Sequence, residues 1–309
     1  MLRKYGALAG VVVAATFLVS APRAGAEASP MLPDLRQAPV GCPGGYGGDP
    51  VACEDWDVCM VADPTSPRGE CLKTGPAKAV RIRFTSSADN VGDGPLLLFG
   101  RRDSADEPTM RVRQALQSGV DGPIPDGFAS AQRATTAFTY YEPAQSHEHW
   151  HLMGFERFQL RTPAGDAVTT DRTNGFCLGD RHPSHDVGRL PHTPEAGTGA
   201  GKVADLLHDN TCGHRSPEAL DVVEGISVGA GDGRGYDADF QWLDITHVPS
   251  GTYDLVQTVN PDRALLEKDY GNNSSSVSIS IEWQDDAGPI QAPPRVEFRR
   301  ACPGRSRCS

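Results

Sequence analysis

Lysine is nearly missing from this 309-residue chain: five occur, Lys4, Lys73, Lys78, Lys202 and Lys268, against 40 acidic residues and a net charge of −11. Basic residues come singly or in short pairs such as Arg101-Arg102 and Arg299-Arg300. No clustered basic face exists to bind nucleic acid. Long apolar runs are also missing after residue 21, so no later segment is suited to span a membrane. No C-x2-C pair occurs among the cysteines, which argues against a zinc ribbon. Long amphipathic stretches are few, whereas 34 Gly and 25 Pro punctuate the chain. That balance disfavours a helical bundle and predicts many turns between short strands.

The first residues carry a basic start at Arg3 and Lys4, an apolar run from Ala7 to Ala21, and small residues at Ala24 and Ala26. This is the pattern of a secretory signal peptide, residues 1–26, cleaved after Ala26. The expected product is secreted, with no membrane span after cleavage. Export gives meaning to the eight cysteines, which fall in three groups: Cys42, Cys53, Cys59 and Cys71; Cys177 and Cys212; Cys302 and Cys308. Pairing within each group predicts Cys177–Cys212 and Cys302–Cys308, and leaves three connectivities for the first four.

Residues 27–77 read as a Cys-rich N-terminal segment, too poor in apolar residues to form a core without cross-links. From Ala79, "AVRIRFTSSADNVGDGPLLLFG" reads as strand, turn and strand. "MRVRQALQ" suggests a short helix. "AFTYYEP", "HWHLMGFERFQLRT", "FQWLDITHV", "GTYDLVQTVN" and "SSVSISIEW" are strand candidates rich in β-branched and aromatic residues. Residues 181–211, mostly Gly, Pro, His and Asp, read as a long loop. The predicted fold is all-β and sandwich-like, with a main domain over 78–285 and a disulfide-bearing tail over 286–309.

Chemistry concentrates in "SHEHWHLMGFERF", residues 146–158. Alternate residues of a strand share a face, so His147, His149 and His151 would stand together while Glu148 and Trp150 point away. Three neutral imidazoles suit Cu(II), Zn(II), Ni(II) or Fe(II) and leave a coordination position open. Asp239 and Asp244, on either side of "QW", are candidates to orient a ligating imidazole.

The same stretch resembles the copper motif of the lysyl oxidase family, with His147, His149 and His151 on the ligand positions and Met153 and Phe155 following. "GFCLGD" at 175–180, "GISVG" at 225–229, "QWLDITHVPSGTYDLVQTVNP" at 241–261 and "LLEKDYGNN" at 265–273 occur in the family's order. The resemblance covers about residues 80 to 282 and implies the same Cys177–Cys212 bridge. It also implies copper(II), with zinc(II) as the competing metal. The implied activity is oxidation of a primary amine, free or on an extracellular protein, to an aldehyde with release of ammonia and hydrogen peroxide. In this family the chemistry belongs to lysine tyrosylquinone, made from a lysine and a tyrosine of the chain itself.

By that correspondence the lysine position, four residues before Cys177, holds Thr173, and the tyrosine position, seven before Gln241, holds Arg234. Arg172 cannot replace the lysine, because a guanidinium stays protonated. Tyr236, two residues beyond Arg234, and Lys202, in the long loop, are the remaining candidates for a relocated precursor pair. A family histidine given a proton-transfer role corresponds to Arg157, which cannot act as a base. The sequence therefore reads as a secreted, lysyl-oxidase-like metal protein without the usual quinone. The alternatives are an active amine oxidase and, third, a zinc hydrolase with no evident general base.

Overall fold

The computed structural model describes residues 1, 29–49, 53–67, 70–144, 147–170, 175–284 and 290–308. Residues 2–26 of the expected signal peptide, Arg172 and Thr173 lie outside the described residues. The strands are β1 Leu35–Gln37, β2 Trp56–Val61, β3 Ala79–Phe84, β4 Ser86–Asn90, β5 Leu96–Arg101 and β6 Thr109–Ala115. They continue as β7 Arg133–Glu142, β8 His149–Leu152, β9 Glu156–Arg161, β10 Ala167–Thr170, β11 His182–Pro183 and β12 Asp221–Ile226. The last are β13 Ala230–Arg234, β14 Trp242–Asp244, β15 Gly251–Val259, β16 Ser274–Glu282 and β17 Arg295–Cys302. One α-helix is present among the described residues, α1 Gly199–Leu207, and no described helix is long and apolar enough to cross a membrane.

The fold is all-β, in four antiparallel sheets ordered β1-β4-β13-β11, β10-β9-β15-β16-β17, β12-β5-β6-β7-β8 and β14-β3-β2. One core joins them. Leu35, Ile82, Leu96, Phe158, Leu243, Leu255 and Ile279 all bury their side chains in it, and Phe84 meets Phe158 edge-on at 5.1 Å. β9 and β16 feed it from alternate positions, Phe158 and Leu160 on one and Val277, Ile279 and Ile281 on the other.

The segment expected as a cross-linked lead-in is stitched into this body. β1 pairs with β4 and β2 pairs with β3. Its bridges are Cys42–Cys53 and Cys59–Cys71, and the others are Cys177–Cys212 and Cys302–Cys308. The tail's β17 pairs with β16 along the edge of a five-stranded sheet.

Two local expectations are corrected. "MRVRQALQ" forms β6 rather than a helix, because Met110, Val112 and Gln114 alternate inward between β5 and β7. Tertiary pairing overrides its helical propensity. Within 181–211 lie β11 and α1, where a plain loop was expected. Thr198 caps the helix by accepting from the Gly201 amide, and Val203 and Leu207 pack beside Leu97 and Phe99. The glycines at its start concealed the helical pattern.

Candidate metal centre

The β7–β8 register separates two environments. Tyr141 lies opposite Trp150, whereas Tyr140 lies opposite His151 and Glu142 opposite His149; opposed residues share a face. On the inner face Trp150 is fully buried beside Met110, Val222 and the Cys177–Cys212 bridge. Its indole N–H donates to the Ser216 carbonyl at 3.1 Å, and Tyr141 packs edge-on at 5.6 Å. Thus the aromatic between the histidines anchors the strand from behind.

Two of the three histidines lie within β8, and His147 precedes it. Glu148 takes a left-handed conformation (φ 48°), and the amides of His147 and Glu148 both donate to the Ala144 carbonyl, at 2.8 and 3.0 Å. This turn, rather than a continuous strand, brings His147 over the others. Its ring centre is 5.4 Å from that of His149 and 4.9 Å from that of His151, which are 4.8 Å apart. One nitrogen from each ring lies within 4.8 Å of the others, and His147 Nδ1 is 3.1 Å from His151 Nε2. Glu148 points away and accepts from Arg215 at 2.9 Å.

Burial keeps these rings neutral. It pushes His149 down to about 4 and His151 to about 2, with the neighbouring imidazoles and Arg234 acting in the same direction. His147 is also lowered, burial outweighing the pull of Asp239 and Glu142. His151 makes a hydrogen bond to the backbone of Gly175. A side chain at Gly175 would collide with Met153 Sδ at 2.5 Å and the Leu152 carbonyl at 2.7 Å, so glycine is required at this crossing. Neutral imidazole is the form that binds metal.

A different chemistry borders the histidines on the β13 side. Arg234 ends β13 opposite Ser86, and its guanidinium donates to Asp232 at 2.6 Å, to the Gly233 carbonyl at 2.8 Å and to the Cys177 carbonyl. It lies 5.5 Å from the Phe176 ring, and its charge is felt by all three histidines. Arg181 approaches Asp232 from the other side at 3.8 Å. Glu156 and Glu224 are wholly buried nearby. Burial pushes Glu156 up to about 7 and Glu224 well above the usual carboxylate range, with Asp232 raising and Arg234 lowering both.

The remaining sequence candidates are dispersed. Tyr236 does not lie on a strand: the chain turns after β13, with Phe240 at φ 63°. Its amide donates to Thr85 Oγ1 at 3.0 Å, and its ring sits 5.4 Å from the Arg83 guanidinium. Lys202 is exposed on α1, and Arg157 pairs with Asp262 at 2.8 Å. Asp244 closes its own exposed turn by accepting from the Thr246 amide at 2.9 Å. Asp239 does reach the site, with Oδ2 3.5 Å from His147 Nε2. His214 lies beyond, its ring 6.5 Å from that of His149.

Sequence reasoning missed Arg181, Glu142, Glu156 and Glu224. Glu142 becomes a neighbour only through the β7–β8 register, and the others through sheet packing. None of these relations leaves a short-range signal.

The residues present fit a metal ion: three neutral imidazoles converge, and His147 Nε2 is a buried polar atom without a hydrogen-bond partner. At the position that the resemblance gives to the quinone tyrosine, the Arg234 guanidinium is held by Asp232 and by the Gly233 and Cys177 carbonyls.

Residues 198–288 match the family model described as lysyl oxidase. Lysyl oxidase homolog 2 of Gallus gallus is 30% identical over 235 residues, 69% of this chain and 26% of that protein. Lysyl oxidase homolog 2 of Homo sapiens is 28% identical over 238 residues, 74% of this chain and 27% of that protein. Lysyl oxidase homolog 3 of Homo sapiens is 29% identical over 139 residues, 45% and 15% respectively. The chain spans about a quarter or less of these curated relatives.

Proposed function

The chain belongs to the lysyl oxidase family, and from that premise we propose that it is a secreted metal-binding member that does not build the family's quinone. The observation that carries the metal reading is the convergence of three neutral histidines, and what argues against the quinone is Arg234 at the position that the resemblance gives to its tyrosine. Copper(II) is the metal of first choice, by family and by imidazole ligation, and zinc(II) the second. Secretion agrees with four disulfides in a chain of this size.

A bound ion would supply Lewis acidity or redox capacity at an open position. The chain's own contribution is to hold His147, His149 and His151 as neutral donors. Trp150 clamps the strand behind them, and Gly175 lets the neighbouring segment approach closely enough for His151 to bond to its backbone. On the other side Arg234 is an always-charged group with no phenol to oxidise and no basic lone pair. With the quinone side lost, the family's conversion of primary amines to aldehydes has no seat here.

The test is to load the mature protein with Cu(II) in air, add phenylhydrazine and record the visible spectrum alongside metal stoichiometry. Copper bound in proportion to protein, lost on replacing the three histidines, with no coloured adduct, is the expected result. An adduct mapped to Tyr236, or cross-linked to Lys202, overturns the reading and makes the chain an amine oxidase with a relocated cofactor.

A further inference from the structure

His147 presents its two ring nitrogens to different neighbours. Nδ1 faces His151 Nε2 at 3.1 Å, and Nε2 faces Asp239 Oδ2 at 3.5 Å. His147 Nε2 is buried without a hydrogen-bond partner, and only 8% of the Asp239 side chain is exposed. The other nearby carboxylates point elsewhere. Glu142 accepts from the Ala144 amide at 3.1 Å, Glu148 from Arg215, and Asp237 lies in the field of Arg83.

A neutral imidazole that binds a metal through one nitrogen carries its proton on the other, and that N–H needs an acceptor when it is buried. His151 has the backbone of Gly175 for that purpose. For His147 the group at hand is a carboxylate. We propose that Asp239 is a positioning residue of the metal centre: it accepts the Nε2–H of His147, so that His147 binds the ion through Nδ1 and His151 through Nε2. The inference rests on the metal-binding reading and deepens it by fixing which atoms bind.

The backbone around Asp239 is shaped for this. Phe240 holds a left-handed conformation that non-glycine residues avoid, and its amide donates to the Pro67 carbonyl at 3.1 Å. The Gln241 amide closes the turn onto the Ala238 carbonyl at 3.3 Å. Asp239 is thereby fixed between two anchored backbone groups. Its negative charge would also counter the ion at a centre whose three ligands are neutral. That is why a carboxylate suits this place better than a carbonyl.

The test uses the full mature protein, labelled with 15N and loaded with Zn(II), with two-bond proton–nitrogen correlations reading each imidazole. The expected spectrum has His147 bound through Nδ1 with a proton on Nε2, and His151 bound through Nε2. Zn(II) affinity of Asp239→Asn and Asp239→Ala should fall by about 10- to 100-fold, the range for outer hydrogen-bond partners, while Asp237→Asn leaves it unchanged. Binding of His147 through Nε2, or unchanged affinity in both Asp239 variants, overturns the proposal. A loss of melting temperature in those variants with unaltered affinity does the same, because it marks a purely structural aspartate. If the wild-type protein takes up no metal at the histidines, the metal-binding reading fails by itself. The His147 tautomer in the same spectra still decides the inference: no Nε2–H that depends on Asp239, no positioning bond.

Discussion

The two sides of the site differ in how they handle charge. On the β8 side one buried and two half-buried imidazoles are held neutral, with one carboxylate 3.5 Å from the His147 ring. On the β13 side a guanidinium, a paired aspartate and two protonation-prone glutamates are packed together. The first arrangement keeps lone pairs available for an incoming ion. The second uses its charges on one another, and Arg234 is consumed by internal acceptors. One side is prepared to bind, and the other is prepared to hold the fold.

The largest effect should come from removing a ligand on the binding side. His151→Ala should lower Cu(II) or Zn(II) affinity by about a thousandfold or more, on the order of 4 kcal/mol, beyond what loss of an outer partner costs. Competition against a chelator of known affinity measures it. Unchanged affinity would show that the triad is not a metal site and would erase the contrast. Next is the clamp behind the strand. Replacing Cys177 and Cys212 together by Ser removes a bridge across 35 residues and should cost about 3–4 kcal/mol in denaturant unfolding. Since Trp150 packs on that bridge, the histidine geometry should loosen with it, seen as broadened Cu(II) spectra.

How much of this was legible in the sequence follows from the range of the interactions. Alternation marked β9 and β16, where burial recurs at every second residue, whereas β3, β5 and β15 are buried along most of their length and were marked by apolar and β-branched content and by the turns that bound them. The histidines were legible through alternation too, although that argument placed all three on a strand and missed the turn at Glu148. β6 was misread because its inward Met110, Val112 and Gln114 make sense only between two neighbours. α1 was missed because two glycines open it. Arg234 was visible as a departure from a family pattern, but its partners Asp232, Arg181 and the Cys177 carbonyl come together only through sheet pairing and the disulfide. Tyr236 shows the converse limit: a two-residue offset counted along an assumed strand has no meaning once the strand ends at Arg234.

A smaller effect sharpens the comparison from the holding side. Glu156 sits near 7 in the folded chain because of burial, against about 4.5 when unfolded. The folded state thus keeps a proton that the unfolded state gives up, and stability is lost as pH rises from about 4.5 through 7. In Glu156→Gln that component disappears, so the variant's stability should fall less than the wild type's between pH 5 and pH 8, by on the order of 3 kcal/mol at the limit. Urea unfolding at both pH values reads the difference in slope. Parallel curves for the two proteins would mean that Glu156 is ionised in the fold.

The smallest effect asks whether Arg234 belongs to holding or to binding. Arg234→Met leaves Asp232 buried with only the more distant Arg181, at 3.8 Å. Removing one member of a fully buried pair costs about 3–5 kcal/mol; here about 2 kcal/mol is expected, because a fifth of the Arg234 side chain is exposed and Arg181 compensates in part. The same change removes a positive charge that now lowers both Glu156 and Glu224, so both should shift further upward and the pH dependence seen with Glu156 should steepen. Metal affinity should change little and in the favourable direction, since a repelling cation has gone. If instead the ion is lost while the fold keeps its stability, Arg234 serves the metal side, and the division between a binding flank and a holding flank is wrong.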